Sequence, residues 1–88
     1  MRLTDIVSTL VDTALANQLN PGETVDHEVM MAIVSIPGGR RPELTVQLVG
    51  YNGTTPLSAP AAIIAGPTTT QTAIDAHVAT ALTWIRAQ

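Results

Sequence analysis

The spacing of apolar residues changes twice along this 88-residue chain, and those changes limit the fold more than any single motif. From Thr4 to Asn20 the apolar residues recur at helical spacing, from Val25 to Tyr51 β-branched residues take over, and from Thr68 to Gln88 the period of 3.6 returns. Helix-period segments flanking a strand-period centre predict an α+β domain of two layers, with helices packed on a small antiparallel sheet.

The first segment has Thr4 as a candidate N-cap, Asp5 where it complements the helix dipole, and a stop at Asn20-Pro21-Gly22. On a wheel of 100° per residue, Leu3, Ile6, Val7, Leu10, Val11, Ala14, Leu15 and Leu19 fill an arc of about 220°. A helix touching one core needs roughly 100°. The arc therefore predicts apolar surface beyond what a single core covers.

In the centre, Val25 to Ile36 leads through Pro37-Gly38-Gly39-Arg40-Arg41-Pro42 into Glu43 to Tyr51, which predicts a hairpin with a loop around the glycines. The second strand alternates: Leu44, Val46 and Leu48 face one way, Thr45 and Gln47 the other. The first does not. Val29, Met31 and Ile33 share one face while Met30, Ala32, Val34 and Ile36 share the opposite one, as in a strand covered on both sides. Asn52-Gly53 marks a turn, and Ala61 to Ala65 reads as a short third strand among prolines. The last segment places Ile74, Val78, Ala81, Leu82 and Ile85 on one helical face with His77 and Trp84 on its shoulder, capped by one of Thr68, Thr69 and Thr70. The predicted order is α-β-β-β-α in one domain spanning residues 1–88.

Composition narrows the function. The chain has no Phe, one Trp and one Tyr, so aliphatic side chains carry the core, and a chain this short buries only roughly 60 to 65% of its unfolded surface. Seven carboxylates face four Arg and no Lys, for a net charge of −3. The N-terminus carries Asp5 where an export signal needs an apolar run, and Val29 to Val34 is far short of the roughly 20 residues that span a bilayer. A cytoplasmic protein that does not engage membranes is expected. Without cysteine there is neither a disulfide nor a thiolate metal site.

No catalytic, cofactor or metal motif emerges. In an extended segment Asp26 and Glu28 share a face and His27 takes the other, so the three do not converge, and the cluster reads as a polar strand entry exposed to water. Asp75 and His77, two apart on a helix, point about 200° apart. His77 reads as a boundary histidine beside Trp84. Gly38-Gly39 lacks the glycine spacing and Lys of a phosphate loop and leads into a strand rather than a helix. A Ser-His-Asp arrangement is not supported by any spacing, and the thirteen Thr residues serve as caps and strand surface.

The α-β-β-β-α order resembles that of the double-stranded RNA-binding domain, whose second helix opens with a basic cluster. The corresponding stretch here, Thr68-Thr69-Thr70-Gln71-Thr72, has no positive charge, and an acidic chain cannot draw on counterion release. The shared order does not imply the activity. Gly38-Gly39-Arg40, Leu44-Thr45-Val46 and the Ala73 to Ile85 helix resemble small neck and tail-terminator proteins of tailed phages. That resemblance implies a virion-assembly component encoded by a phage of a GC-rich host.

The expectation is a non-catalytic protein-interaction module, oligomeric with itself or docked on another protein. The alternative is a small nucleic-acid-associated regulator, and an enzyme is the third reading. Val7, Val11, Leu15, Met30, Val34, Arg40, Arg41 and Trp84 are the candidate contact residues.

Overall fold

The computed structural model describes residues 2–65 and 70–88, with residues 63–65 described by their backbone alone. Helix α1 spans Leu3–Gln18, strand β1 Asp26–Ile36, β2 Gly39–Asn52, β3 Thr55–Ser58, β4 Ala62–Ala65 and helix α2 Gln71–Arg86. β1 and β2 form a long antiparallel hairpin in continuous register from Asp26↔Val49 to Ile36↔Gly39. On the other edge of β2, β3 pairs with Val49 to Asn52 and β4 with Glu43 to Val46. The two short segments lie end to end along one edge, so the sheet is three ribbons wide and the order is α-β-β-β-α, as the periodicity predicts. The split is the new detail: Thr55–Ser58 forms a strand in the proline-punctuated stretch before the predicted one, and Ala59 bridges the break by donating its N–H to the Leu48 carbonyl.

The hairpin turn is tighter than predicted. Only Pro37 and Gly38 lie outside the ladder; Gly39, Arg40, Arg41 and Pro42 already belong to β2. Proline at the second turn position and a glycine with φ of 94° at the third is the pattern of a type II turn, which closes in two residues.

Both helices pack on the same face of the sheet. Leu44, Val46 and Leu48 are fully buried there, and they share one cluster with Val7, Val11, Ala14 and Leu15 of α1 and Ile74, Val78, Ala81 and Leu82 of α2. The alternation of β2 produces this: every second side chain enters the core, and Thr45, Gln47 and Val49 between them face the uncovered side. Gln71 Nε2 reaches the Leu10 carbonyl at 3.0 Å while Arg86 Nη2 reaches that of Gln18 at 3.1 Å, so the two helices run in the same general sense.

Two local expectations change and one is narrowed. Thr4 is inside α1 and not its cap; Arg2 holds that position and makes no side-chain capping bond. At α2, Thr70 is the cap, its hydroxyl accepting from the Ala73 N–H at 3.2 Å, while Thr68 and Thr69 lie outside the described residues. The wide apolar arc of α1 is largely consumed at home: Leu3, Leu10 and Leu19 pack at the margin of the core, and only Ile6, 42% exposed, is left over. Two helices side by side on a narrow sheet present α1 with two neighbours, α2 and β1, and an arc above 100° serves both.

Candidate interaction surface

The two strands of the hairpin outrun the helices that cover it. Eleven extended residues reach about 36 Å, against about 24 Å for a sixteen-residue helix. The molecule is accordingly 46 Å long and only 23 by 20 Å across. The overhanging part carries Met30, Met31 and Ile33, each at least half exposed, and Ile36 at 39%. Met31 and Ile33 point to the helix side, opposite Leu44 and Pro42. Met30, Ala32, Val34 and Ile36 point to the uncovered side. Continuous apolarity thus does not mark the predicted strand covered on both faces; among the described residues β1 is an edge strand with one face open along its length and the other open toward the tip.

Arg40 and Arg41 flank this tip on opposite faces, Arg40 across from Ser35 and Arg41 across from Val34. Both are exposed, and with Ile33 and Pro42 they line a shallow hollow of about 250 Å³. Of the eight candidate contact residues, Met30, Arg40 and Arg41 lie at the surface and Val34 is half-buried. Trp84 is half-buried against the core edge. Val7, Val11 and Leu15 are corrected: all three are core residues, at most 6% exposed, and are spent on the sheet rather than available to a partner.

The base of β1 is polar and tied to the body. Asp26 and Glu28 are exposed on the uncovered face, as the alternation requires. His27 points inward and is not the water-exposed residue expected. Its Nε2 lies 2.7 Å from Ser8 Oγ and its Nδ1 3.6 Å from Asp12 Oδ1. Ser8 and Asp12 stand four apart on α1 and so face β1 together. The trio has the membership of a hydrolase triad, a grouping that spacing alone did not reveal because the histidine comes from a different element. Ser8, however, sits inside a regular helix, where neighbouring peptide N–H groups are committed to carbonyls and cannot receive an oxyanion. None of the three residues lines any of the hollows described here. What the trio does is pin α1 to the start of β1.

A cleft of about 370 Å³ at the far end of the body is bounded by Gly22, Tyr51, Leu57, Ile85 and the Glu23–Arg86 ion pair. Arg86 Nη2 and Nε donate to the two Glu23 carboxylate oxygens at 2.7 and 3.1 Å, and the Asn20 N–H donates to the same carboxylate at 2.7 Å. The guanidinium, followed by the backbone donor, lowers the Glu23 pKa to about 2. This pair, separated by sixty-three positions in sequence, escaped the sequence reading altogether. His77 and Trp84 line a third hollow with Pro60, Ala62 and Ala81. Burial pushes the His77 pKa down, opposed by the nearby Val46 backbone, and its Nε2 has no hydrogen-bond partner among the described residues.

Among the described residues no cluster of three or more His, Cys, Asp or Glu is placed to hold a metal, and no helix is long and apolar enough to cross a membrane. Comparison with known proteins finds no match: no family model, no curated protein and no solved structure is similar to the chain.

Proposed function

We propose that this chain is a non-catalytic protein-interaction module that self-associates or docks on another protein, and that its working surface is the β1–β2 tip. The observation that carries this reading is the concentration of Met30, Met31, Ile33 and Ile36 on one protruding element. Scattered exposed apolar residues are normal on any protein, but a contiguous group on an overhanging arm is what interaction sites present. Unbranched Met side chains adapt to a partner's surface, and the two flanking Arg supply polar rim contacts.

The resemblance to neck and tail-terminator proteins of tailed phages favours an assembly role in a virion, acting through copies of the chain itself. Gly38-Gly39-Arg40 and Leu44-Thr45-Val46, which carry that resemblance, stand on the hairpin. A host protein is the other partner class this surface suits. Nucleic acid is disfavoured by the net charge of −3 and by the lack of an aromatic platform with interleaved basic residues.

Light scattering at micromolar protein, paired with titration of a hydrophobic dye, tests the reading. An oligomer, or a monomer that binds dye in proportion to its exposed tip, is expected. A clean monomer that binds no dye would remove the support.

A further inference from the structure

The exposed side chains of β1 are accompanied by exposed backbone. Because the turn holds only Pro37 and Gly38, Ile36 and Gly39 exchange both of their backbone hydrogen bonds, and the bonded pairs then recur at every second residue. Asp26, Glu28, Met30, Ala32, Val34 and Ile36 therefore spend their peptide groups on β2. His27, Val29, Met31, Ile33 and Ser35 turn theirs the other way, toward an edge on which no other strand lies among the described residues. Sheet edges are normally guarded by lysine, proline, a bulge or an inward charge. Val29 to Ile36 has none of these, and its register with β2 runs without a bulge.

Charge then selects what covers the edge. β1 begins acidic, with Asp26 and Glu28, and the tip it leads to is basic, with Arg40 and Arg41. A second copy laid antiparallel along β1 puts acidic base against basic tip at both ends, whereas a parallel copy puts acid against acid. Full overlap of the eleven residues sets Met31 opposite Met31. Only odd residues then pair with odd, which matches the outward peptide groups and keeps both helical layers on one side. In that register Glu28 lies opposite Val34 of the second copy, with that copy's Arg41 directly behind Val34 on the same face. Two strand spacings, about 10 Å, separate the backbones, a span an arginine and a glutamate close together. On the other face, His27 and the neighbouring Asp12 lie opposite Ser35 of the second copy, with its Arg40 behind.

We propose that two copies of this chain join edge to edge through β1, antiparallel about a two-fold axis at Met31, to form one continuous sheet of six ribbons. Each tip is then held between the helical layer and the acidic strand base of the other copy. The dimer rests on the reading of the hairpin as the interaction surface and specifies both its partner and its register. It is a closed two-fold arrangement that uses up the unguarded edge.

Sedimentation equilibrium on four proteins tests it. The wild-type chain is expected to be a dimer. Met31→Pro deletes an outward N–H and leaves every β2-facing bond in place, a position where edge strands accept proline, and is expected to be a monomer that still unfolds cooperatively. Arg41→Glu, which repels Glu28 twice in the symmetric dimer, is expected to raise the dissociation constant about tenfold or more, and adding Glu28→Arg to the same chain to restore most of it. If Met31→Pro does not fold, the charge-reversal pair decides alone. A dimer indifferent to both Met31→Pro and Arg41→Glu overturns the edge pairing and leaves the interaction-module reading standing. So does a wild-type monomer that binds hydrophobic dye. A wild-type monomer that binds none overturns both.

Discussion

β1 and β2 are neighbours in one sheet, paired along eleven positions, and β1 is the richer in aliphatic residues, yet they are opposite in fate. Leu44, Val46 and Leu48 of β2 are inaccessible, while Met30, Met31 and Ile33 of β1 are at least half exposed. The difference lies in patterning. β2 alternates apolar with polar and so declares one covered face; β1 is apolar on both faces and so declares cover that its own chain does not provide. In a strand, the amount of apolar residue says less about burial than its period does.

The largest expected effect separates the two strands directly. Leu48→Ala opens a cavity beneath both helices and is expected to cost about 2–5 kcal/mol, a large share of the stability of a domain this small. Met30→Ala, measured at protein concentrations low enough to keep the chain monomeric, is expected to stay within about 0.5 kcal/mol. Urea midpoints of the two variants make the comparison. Similar losses would mean that the tip of β1 is part of the folding core after all.

Gly50 sharpens the comparison at the next level. It continues the buried row of β2 past Leu48, and a Cβ there would sit 2.5 Å from Ile85 Cγ2 of α2. Ile85 is itself braced against the core, so Gly50→Ala is expected to cost about 1–3 kcal/mol by overpacking. The double variant with Ile85→Ala removes the obstructing atoms, and its loss should fall short of the sum of the single losses. Additive losses would show that α2 does not press on β2 at this point. Glycine here answers to close approach of a helix.

Much of this architecture was legible in the sequence because it is governed by local period. Both helices, the hairpin and the inward row Leu44, Val46 and Leu48 follow from spacing, and the Thr70 cap was among the options read from the threonine run. Thr55–Ser58 was missed because Pro56 argues against a strand, although an edge strand tolerates it. Arg2 rather than Thr4 precedes α1 because Leu3, which packs at the margin of the core, draws the helix two residues earlier than a capping preference would. At the candidate surface, Met30, Arg40 and Arg41 were recognisable from the two-faced strand and its charged turn. Val7, Val11 and Leu15 were not separable from them: a wide helical arc looks the same whether its second neighbour is a helix of the same chain or a partner. His27 with Ser8 and Asp12, and Glu23 with Arg86, depend on how distant elements dock, and no local pattern records that.

The smallest effect concerns the end of β1 that does belong to the body. Arg86 Nη2 donates both to Glu23 and to the Gln18 carbonyl, so one side chain ties the end of α2 to the end of α1 and to the connector that feeds β1. In the folded chain the Glu23 pKa is lowered from an ordinary 4.5 to about 2, so the folded state holds this carboxyl ionised where the unfolded chain has begun to protonate it. Its contribution is therefore fully present above about pH 4.5 and is lost as the pH falls toward 2. The pair is exposed to solvent, so the effect is small and weakened further by salt. Arg86→Ala is expected to lower the denaturant midpoint slightly at pH 6, and the gap to wild type should narrow as the pH falls through that window. The variant also loses the bond to Gln18, which does not titrate, so a residual gap at pH 2 measures the helix-to-helix tie, and the part that disappears measures the carboxylate. A gap that stays constant from pH 6 to pH 2 would show that Glu23 is not held by Arg86 in solution. The start of β1 would then be anchored to the body through His27, Ser8 and Asp12 and through the packing of Val25 and Val29 against the core.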